Sequence, residues 1–159
     1  MSEQTGKRLE LIDGEIVFMM PPGPEHAGYT DRTDRKLSRK LPPEYYVRCQ
    51  HPIRISRFSE PQPDIAIVRA RADDYILSHP GADEVLLIIE ISDSSLAQDL
   101  EVKRHLYAKA EIAEYWVLDF QGRELHVFLK PWDGDYTEQR TCRGDDEVQS
   151  TLIPELKLA

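Results

Sequence analysis

Residues 84–103, EVLLIIEISDSSLAQDLEVK, decide how this chain is read. Val85 opens an unbroken apolar run that reaches Ile89 and ends in a carboxylate, Glu90. A run apolar on both faces is what a central sheet strand needs, so residues 85–91 are expected to form one. Ser94 or Ser95 then caps a helix expected to run to Ala110. At about 100° per residue, Leu96, Leu100, Tyr107 and Ala110 fall on one stripe of that helix, with Lys103 in the middle of it. Amphipathic helices turn their lysines outward. A lysine on the greasy side, directly after a strand that ends in glutamate, is an arrangement that a core does not need.

Strand alternation places Glu90 on one face with Leu86, Ile88 and Ser92. A carboxylate buried there is costly unless it is paired or bound to a metal. Taken alone, Glu90 reads as a strand-end acid that reaches water or bonds to Arg or Lys. Taken alone, Lys103 reads as a snorkelling edge lysine or a partner of Asp99 one turn earlier. Asp64 opens a short apolar strand, 64–69, directly after Pro63. Proline removes a ladder bond there and sets the acid at a rim or a bend; alone, Pro-Asp is a turn. Together the three suit hydrolysis of a phosphodiester. Two carboxylates hold Mg²⁺, which prefers oxygen and keeps several waters. The ion acidifies a bound water, and the lysine acts as a point charge on the crowded phosphate.

A chain of 159 residues suits a single domain, 1–159. The opening MSEQTGKRLE holds no apolar core of a signal peptide, and the 85–89 run is too short to span a bilayer. Cys49 and Cys142 stand in no metal-ligand spacing and read as free thiols of a cytoplasmic protein. The net charge of −9, from 20 basic and 29 acidic side chains, argues against a strongly DNA-philic whole. Residues 32–57 are locally basic, however, with Arg32, Arg35, Lys36, Arg39, Lys40, Arg48, Arg54 and Arg57 against Asp34 and Glu44. One basic face is therefore allowed.

Asp13-Gly14 is a hairpin signal between strands 8–12 and 15–20. A helix is expected over 25–41, stopped by Pro42-Pro43. Strands are expected at 45–49, 53–55, 114–119, 124–130 and 136–140, with a short element within 152–158 and a loop or irregular helix over 71–83. Tyr115-Trp116 reads as core, and Trp132 as local packing in a turn. The result is an α+β domain, a mixed and mostly antiparallel sheet flanked by helices.

Pro63-Asp64 followed by Glu90-Ile91-Ser92 resembles the PD-(D/E)xK nuclease motif. The chain is more closely similar to the Uma-two family of restriction-endonuclease domains. The likeness covers nearly the whole chain: Leu11-Ile12-Asp13-Gly14-Glu15, Pro21-Pro22 with His26, Gln62-Pro63-Asp64, Ile89-Glu90-Ile91-Ser92, Asp99 with Lys103 and Tyr107, and residues 114–119, EYWVLD. It implies a restriction-endonuclease-like core, DNA as substrate and Mg²⁺ (or Mn²⁺) as cofactor. Asp64 and Glu90 would be metal ligands, with the Ile91 backbone carbonyl a third. The superfamily places its lysine two residues after the glutamate, where this chain has Ser92; Lys103 on the following helix takes that part. Relatives often carry proline after that serine, where this chain has Asp93.

The resemblance also makes Glu15 and His26 auxiliary candidates, as metal contact or proton carrier. From the residues alone, Glu15 reads equally as a half-exposed hairpin acid. His26, on a weak helical stripe with Tyr29, Thr33 and Leu37, reads equally as a helix-start residue with a satisfied ring. Family habit and the geometry of small nuclease domains add a homodimer. The expectation is a metal-dependent endonuclease. Its alternative is a catalytically silent nuclease-fold binding or assembly module, favoured by the net acidity and the lack of an evident DNA-reading element. A glycosidase using Asp64 and Glu90 as acid and base fits poorly, because aromatics at 8% are too few for a long sugar-binding cleft.

Overall fold

Asp13 and Gly14 both adopt positive φ, 49° and 84°, the turn geometry whose twist matches antiparallel strands. In the computed structural model, which describes residues 8–159, this turn joins β1 (Arg8–Ile12) to β2 (Glu15–Met19). Pro24 then sits in the first turn of α1 (Pro24–Ser38), where its missing N–H costs nothing. The helix stops short of the expected Leu41. The amides of Lys40 and Leu41 both turn back to the Leu37 carbonyl, at 2.9 and 3.2 Å, and Pro42 disfavours a helical Leu41.

The main sheet has six strands: β3 (Tyr45–Cys49), β4 (Ile65–Arg69), β5 (Val85–Ser92), β6 (Glu114–Asp119), β7 (Glu124–Trp132) and β8 (Asp135–Arg143), in that spatial order. Every neighbouring pair is antiparallel except β5 with β6. A parallel pair requires a crossover. It is supplied by a helical run of three pieces: α2 (Leu96–Gln98), a π-helical turn (Asp99–Lys103) and α3 (Arg104–Lys109). Two short strands, β9 (Val148–Gln149) and β10 (Lys157–Leu158), pair near the C-terminus.

Every residue of β5 is buried. Ile88 packs with Leu106 and Tyr107 of α3 and with Tyr115, Val117 and Phe128. Leu87, Ile89 and Ile91 pack with Leu37 of α1, Trp116 and the C-terminal Val148, Ile153 and Leu156. The helical crossover thus covers one face of the sheet, and α1 with the C-terminal segment covers the other. Leu86 leaves the face expected of it. Ile67 pairs with Leu87 but Val68 pairs with Val85, so Leu86 is the extra residue of a bulge and joins the α1 side.

Residues 53–55 form no strand. The Ile53 amide bonds to the Pro61 carbonyl and the Arg54 amide to that of Pro80; prolines accept but cannot donate back, so no ladder extends. The 71–83 stretch is held by Arg71, whose guanidinium reaches Asp73, Ser78 and Glu84, and it closes in a 3₁₀ turn (Ala82–Glu84). β7 and β8 outrun their expected ends because Asp133 and Gly134, at φ 51° and 81°, close a tight hairpin. Tyr115 and Trp116 are fully buried, whereas Trp132 is 77% exposed and packs no core.

Candidate active site

The end of β5 lies beside the start of β4, and their two acids hold each other's strand. The Asp64 amide donates to Glu90 Oε2 at 3.1 Å, and the Ile91 amide donates to Asp64 Oδ2 at 2.9 Å. His26, in the first turns of α1, places Nε2 3.1 Å from the same Asp64 Oδ2. Gln50 Nε2 donates to Asp64 Oδ1 at 3.4 Å.

Lys103 enters from the crossover. Its ammonium donates to Glu90 Oε1 at 3.0 Å and to Glu10 Oε1 at 3.2 Å, with Asp99 Oδ1 at 3.9 Å. The Tyr107 hydroxyl also donates to Glu90 Oε1, at 3.0 Å. Asp99 is fixed in turn by the hydroxyls of Ser92 (2.5 Å) and Ser95 (2.8 Å). Ser95 precedes α2, but its side chain makes no capping bond to the helix and serves Asp99 instead.

The crossover widens into a π turn at the residues that reach the cluster. It lodges the excess residue on the outer side, where Glu101 and Val102 are exposed, while Asp99 and Lys103 remain buried. Carbonyls of this stretch find side-chain partners. The Tyr115 hydroxyl donates to the Asp99 carbonyl at 2.9 Å, and His105 Nδ1 lies 2.7 Å from that of Glu101.

Glu10, Asp64, Glu90 and Asp99 are all at least nine-tenths buried, against one equally buried lysine. Burial pushes the Glu90 carboxyl well above the usual carboxylate range, although the Lys103 charge pulls it down. Burial raises Asp99 too, against the pull of Lys103 and the two serines. For Lys103 burial favours loss of the proton, but Glu90, Glu10 and Asp99 outweigh it and the ammonium is held more firmly than usual. Burial also works against the Asp64 carboxylate, yet the His26 hydrogen bond and charge prevail and leave it below its usual range. The Asp64 hydrogen bond raises His26 in return.

The surplus of buried negative charge and the all-oxygen donor set fit a hard divalent cation. Asp64 and Glu90 face the cleft as donors, with the main chain at Ile91 between them. Among the described residues, the set of three ligand atoms lying within 4.8 Å of one another is elsewhere, on Asp119, Glu124 and His126. That set is accounted for by local pairing: Asp119 accepts the Gly122 amide at 2.9 Å, and Glu124 binds Arg143 at 2.6 Å and His126 at 3.5 Å.

Asp64, Glu90, Lys103 and His26 therefore converge, and Ile91 meets them through its amide to Asp64. Glu15 does not join them. It is exposed beside the hairpin turn and does not line the cleft. The acid that this hairpin delivers is Glu10, which sequence reasoning missed. The signal was available: Glu10 shares the period-two parity of Ile12, the residue that anchors β1 inward.

A family model described as "Putative restriction endonuclease", Uma2, matches residues 1–159. The chain belongs to the Uma2 family. Among solved structures it is similar to "a putative nuclease belonging to DUF820 from Anabaena variabilis ATCC 29413", with a TM-score of 0.77 and 17% identity over 99% of this chain and 90% of that one. That likeness shows a shared α+β, nuclease-like fold. No curated protein matches. Within this Uma2 chain, no helix of the described residues is long and apolar enough to cross a membrane.

Proposed function

We propose that this Uma2 chain is a divalent-metal-dependent DNA endonuclease whose site is built from Asp64, Glu90 and Lys103. The observation that carries the reading is the buried cluster at the end of β5, where Glu10, Glu90 and Asp99 surround one lysine and Asp64 lies beside Glu90. Asp64 and Glu90, with the Ile91 carbonyl, would hold Mg²⁺ or Mn²⁺. Such an ion, when bound, supplies Lewis-acid neutralisation of the phosphate and an acidified water. Lys103 remains protonated among its three acids, so it acts as a fixed positive charge on the non-bridging phosphate oxygens and not as a base. Glu10 and Tyr107 position it: Glu10 shares the ammonium with Glu90, and Tyr107 donates to the Glu90 oxygen that Lys103 also holds. His26, hydrogen-bonded to Asp64 at the cleft edge, would be the proton carrier for the leaving oxygen. In a homodimer two such clefts would face two strands; light scattering that finds only monomer removes that part.

The test is cleavage of plasmid DNA with Mg²⁺ or Mn²⁺ by wild type, Asp64→Asn and Lys103→Met. Wild-type cutting is expected, with each variant slower by about 100-fold or more. Variants that cut as well as wild type, at unchanged folding, would sink the site assignment. A second reading, a binding module without turnover, is favoured by the net charge of −9. Calorimetry that finds no Mn²⁺ binding at millimolar concentrations would support it.

A further inference from the structure

We propose that the groove between α1 and the β6–β7 turn is the path of the DNA strand leaving the active site; this rests on the nuclease reading above. The groove is walled by Tyr29, Arg32 and Lys36 of α1 on one side and by Phe120, Arg123 and Arg143 on the other. It is joined to the cleft by three features. His26 and Tyr29 lie one turn apart on α1. Gln121 in the β6–β7 turn donates to Glu25 beside His26, at 3.3 Å. Ser92, next to the catalytic strand end, pairs in register with Asp119, next to Phe120.

The lining has the chemistry of a strand track. The rings of Tyr29 and Phe120, one from each side, stack on each other at 4.8 Å with an interplanar angle of 22° and bridge the groove as an apolar floor that suits a sugar or base laid over it. The Arg32 guanidinium lies 5.6 Å from the Tyr29 ring centroid, and the four cations are exposed at the rim. Lys36 donates to the Ala159 carbonyl at 3.1 Å. Asp119, Glu124 and Asp146 line the same groove and temper this field, Glu124 by binding Arg143 while Asp119 accepts the Gly122 amide, so the positive charge is concentrated on the α1 side and at Arg123. From His26 to Lys36 the helix rises about 15 Å, the length of about four nucleotide steps. An acidic protein can thus hold DNA by a short cationic strip beside its site and not by its whole surface.

The experiment compares wild type, an Arg32→Ala/Lys36→Ala/Arg123→Ala/Arg143→Ala variant, and a Lys130→Ala/Arg140→Ala control on exposed positions outside the groove. Binding to a fluorescein-labelled duplex is measured by anisotropy across a salt series with Ca²⁺ in place of Mg²⁺, and cleavage kinetics are run in parallel. The groove variant is expected to flatten the slope of log K against log[salt] by about 3 to 4. It should raise KM at least tenfold while kcat at saturating DNA and the melting temperature stay unchanged, and the control should match wild type. An unchanged slope and KM in the groove variant would overturn the proposal while leaving the nuclease reading intact. A wild type that neither binds nor cuts DNA would overturn both.

Discussion

Three carboxylates converge on the Lys103 ammonium, so removing it leaves buried acids without a counter-charge. Lys103→Met is expected to destabilise the metal-free protein by about 3–5 kcal/mol at neutral pH. The loss should shrink in acid, where Glu90, already raised by burial, takes up a proton; urea titrations at two pH values check this. His26 gives a second pH signature. Its folded pKa lies above the unfolded value of about 6.5, so its stabilisation is complete below that and fades as pH rises through the folded value. Asp64 is shifted the other way, so its share is present above about 3.9 and fades as pH falls through its folded value. In chelator, the gap in melting temperature between wild type and His26→Gln should be widest between about pH 4 and 6.5. It should narrow as the pH rises beyond that; a gap that widens instead contradicts the pairing. The Cys49 thiol is pushed up to about 11 by burial, which predicts sluggish reaction with thiol reagents at neutral pH.

At the scale of elements, the π turn is the segment that carries both Asp99 and Lys103 into the buried cluster. Deleting Val102, which is half-exposed, should restore an ordinary helix and cost about 1–3 kcal/mol through the Tyr115 hydroxyl's lost carbonyl. Circular dichroism should stay near wild type, and urea titration should read the loss. None of this was visible in the sequence, because a one-residue excess in a helix leaves the apolar stripe readable. Lys103 stood out only because it lay on that stripe. The β5 strand and its terminal Glu90 were legible for the opposite reason, since an all-apolar run has few places to go. Glu10 escaped because a single acid in an alternating hairpin looks like a surface residue until its partner strand is placed. Residues 53–55 failed as a strand because the carbonyls they meet belong to prolines.

For the molecule as a whole, the C-terminal segment closes the α1 face, and one buried acid ties it down. Glu114 Oε1 accepts the Leu152 amide at 3.2 Å and the Ser150 hydroxyl at 3.3 Å, and Thr151 binds it through both amide and hydroxyl. Glu114→Ala should cost about 1–3 kcal/mol and speed proteolysis within 150–159 well before global unfolding, as limited digestion with mass spectrometry would show. The α+β class and the mixed, mostly antiparallel sheet followed from strand patterning, but this clasp did not, because a glutamate opening a strand carries no mark of the loop it will meet.

The mutual grip of Asp64 and Glu90 has one more outcome. Each acid is hinged to the neighbouring strand's main chain, so neither carboxylate can swing away without giving up a hydrogen bond across the β4–β5 seam. A catch of this kind couples the two side chains, so loosening either one also loosens the amide that the other strand lends it.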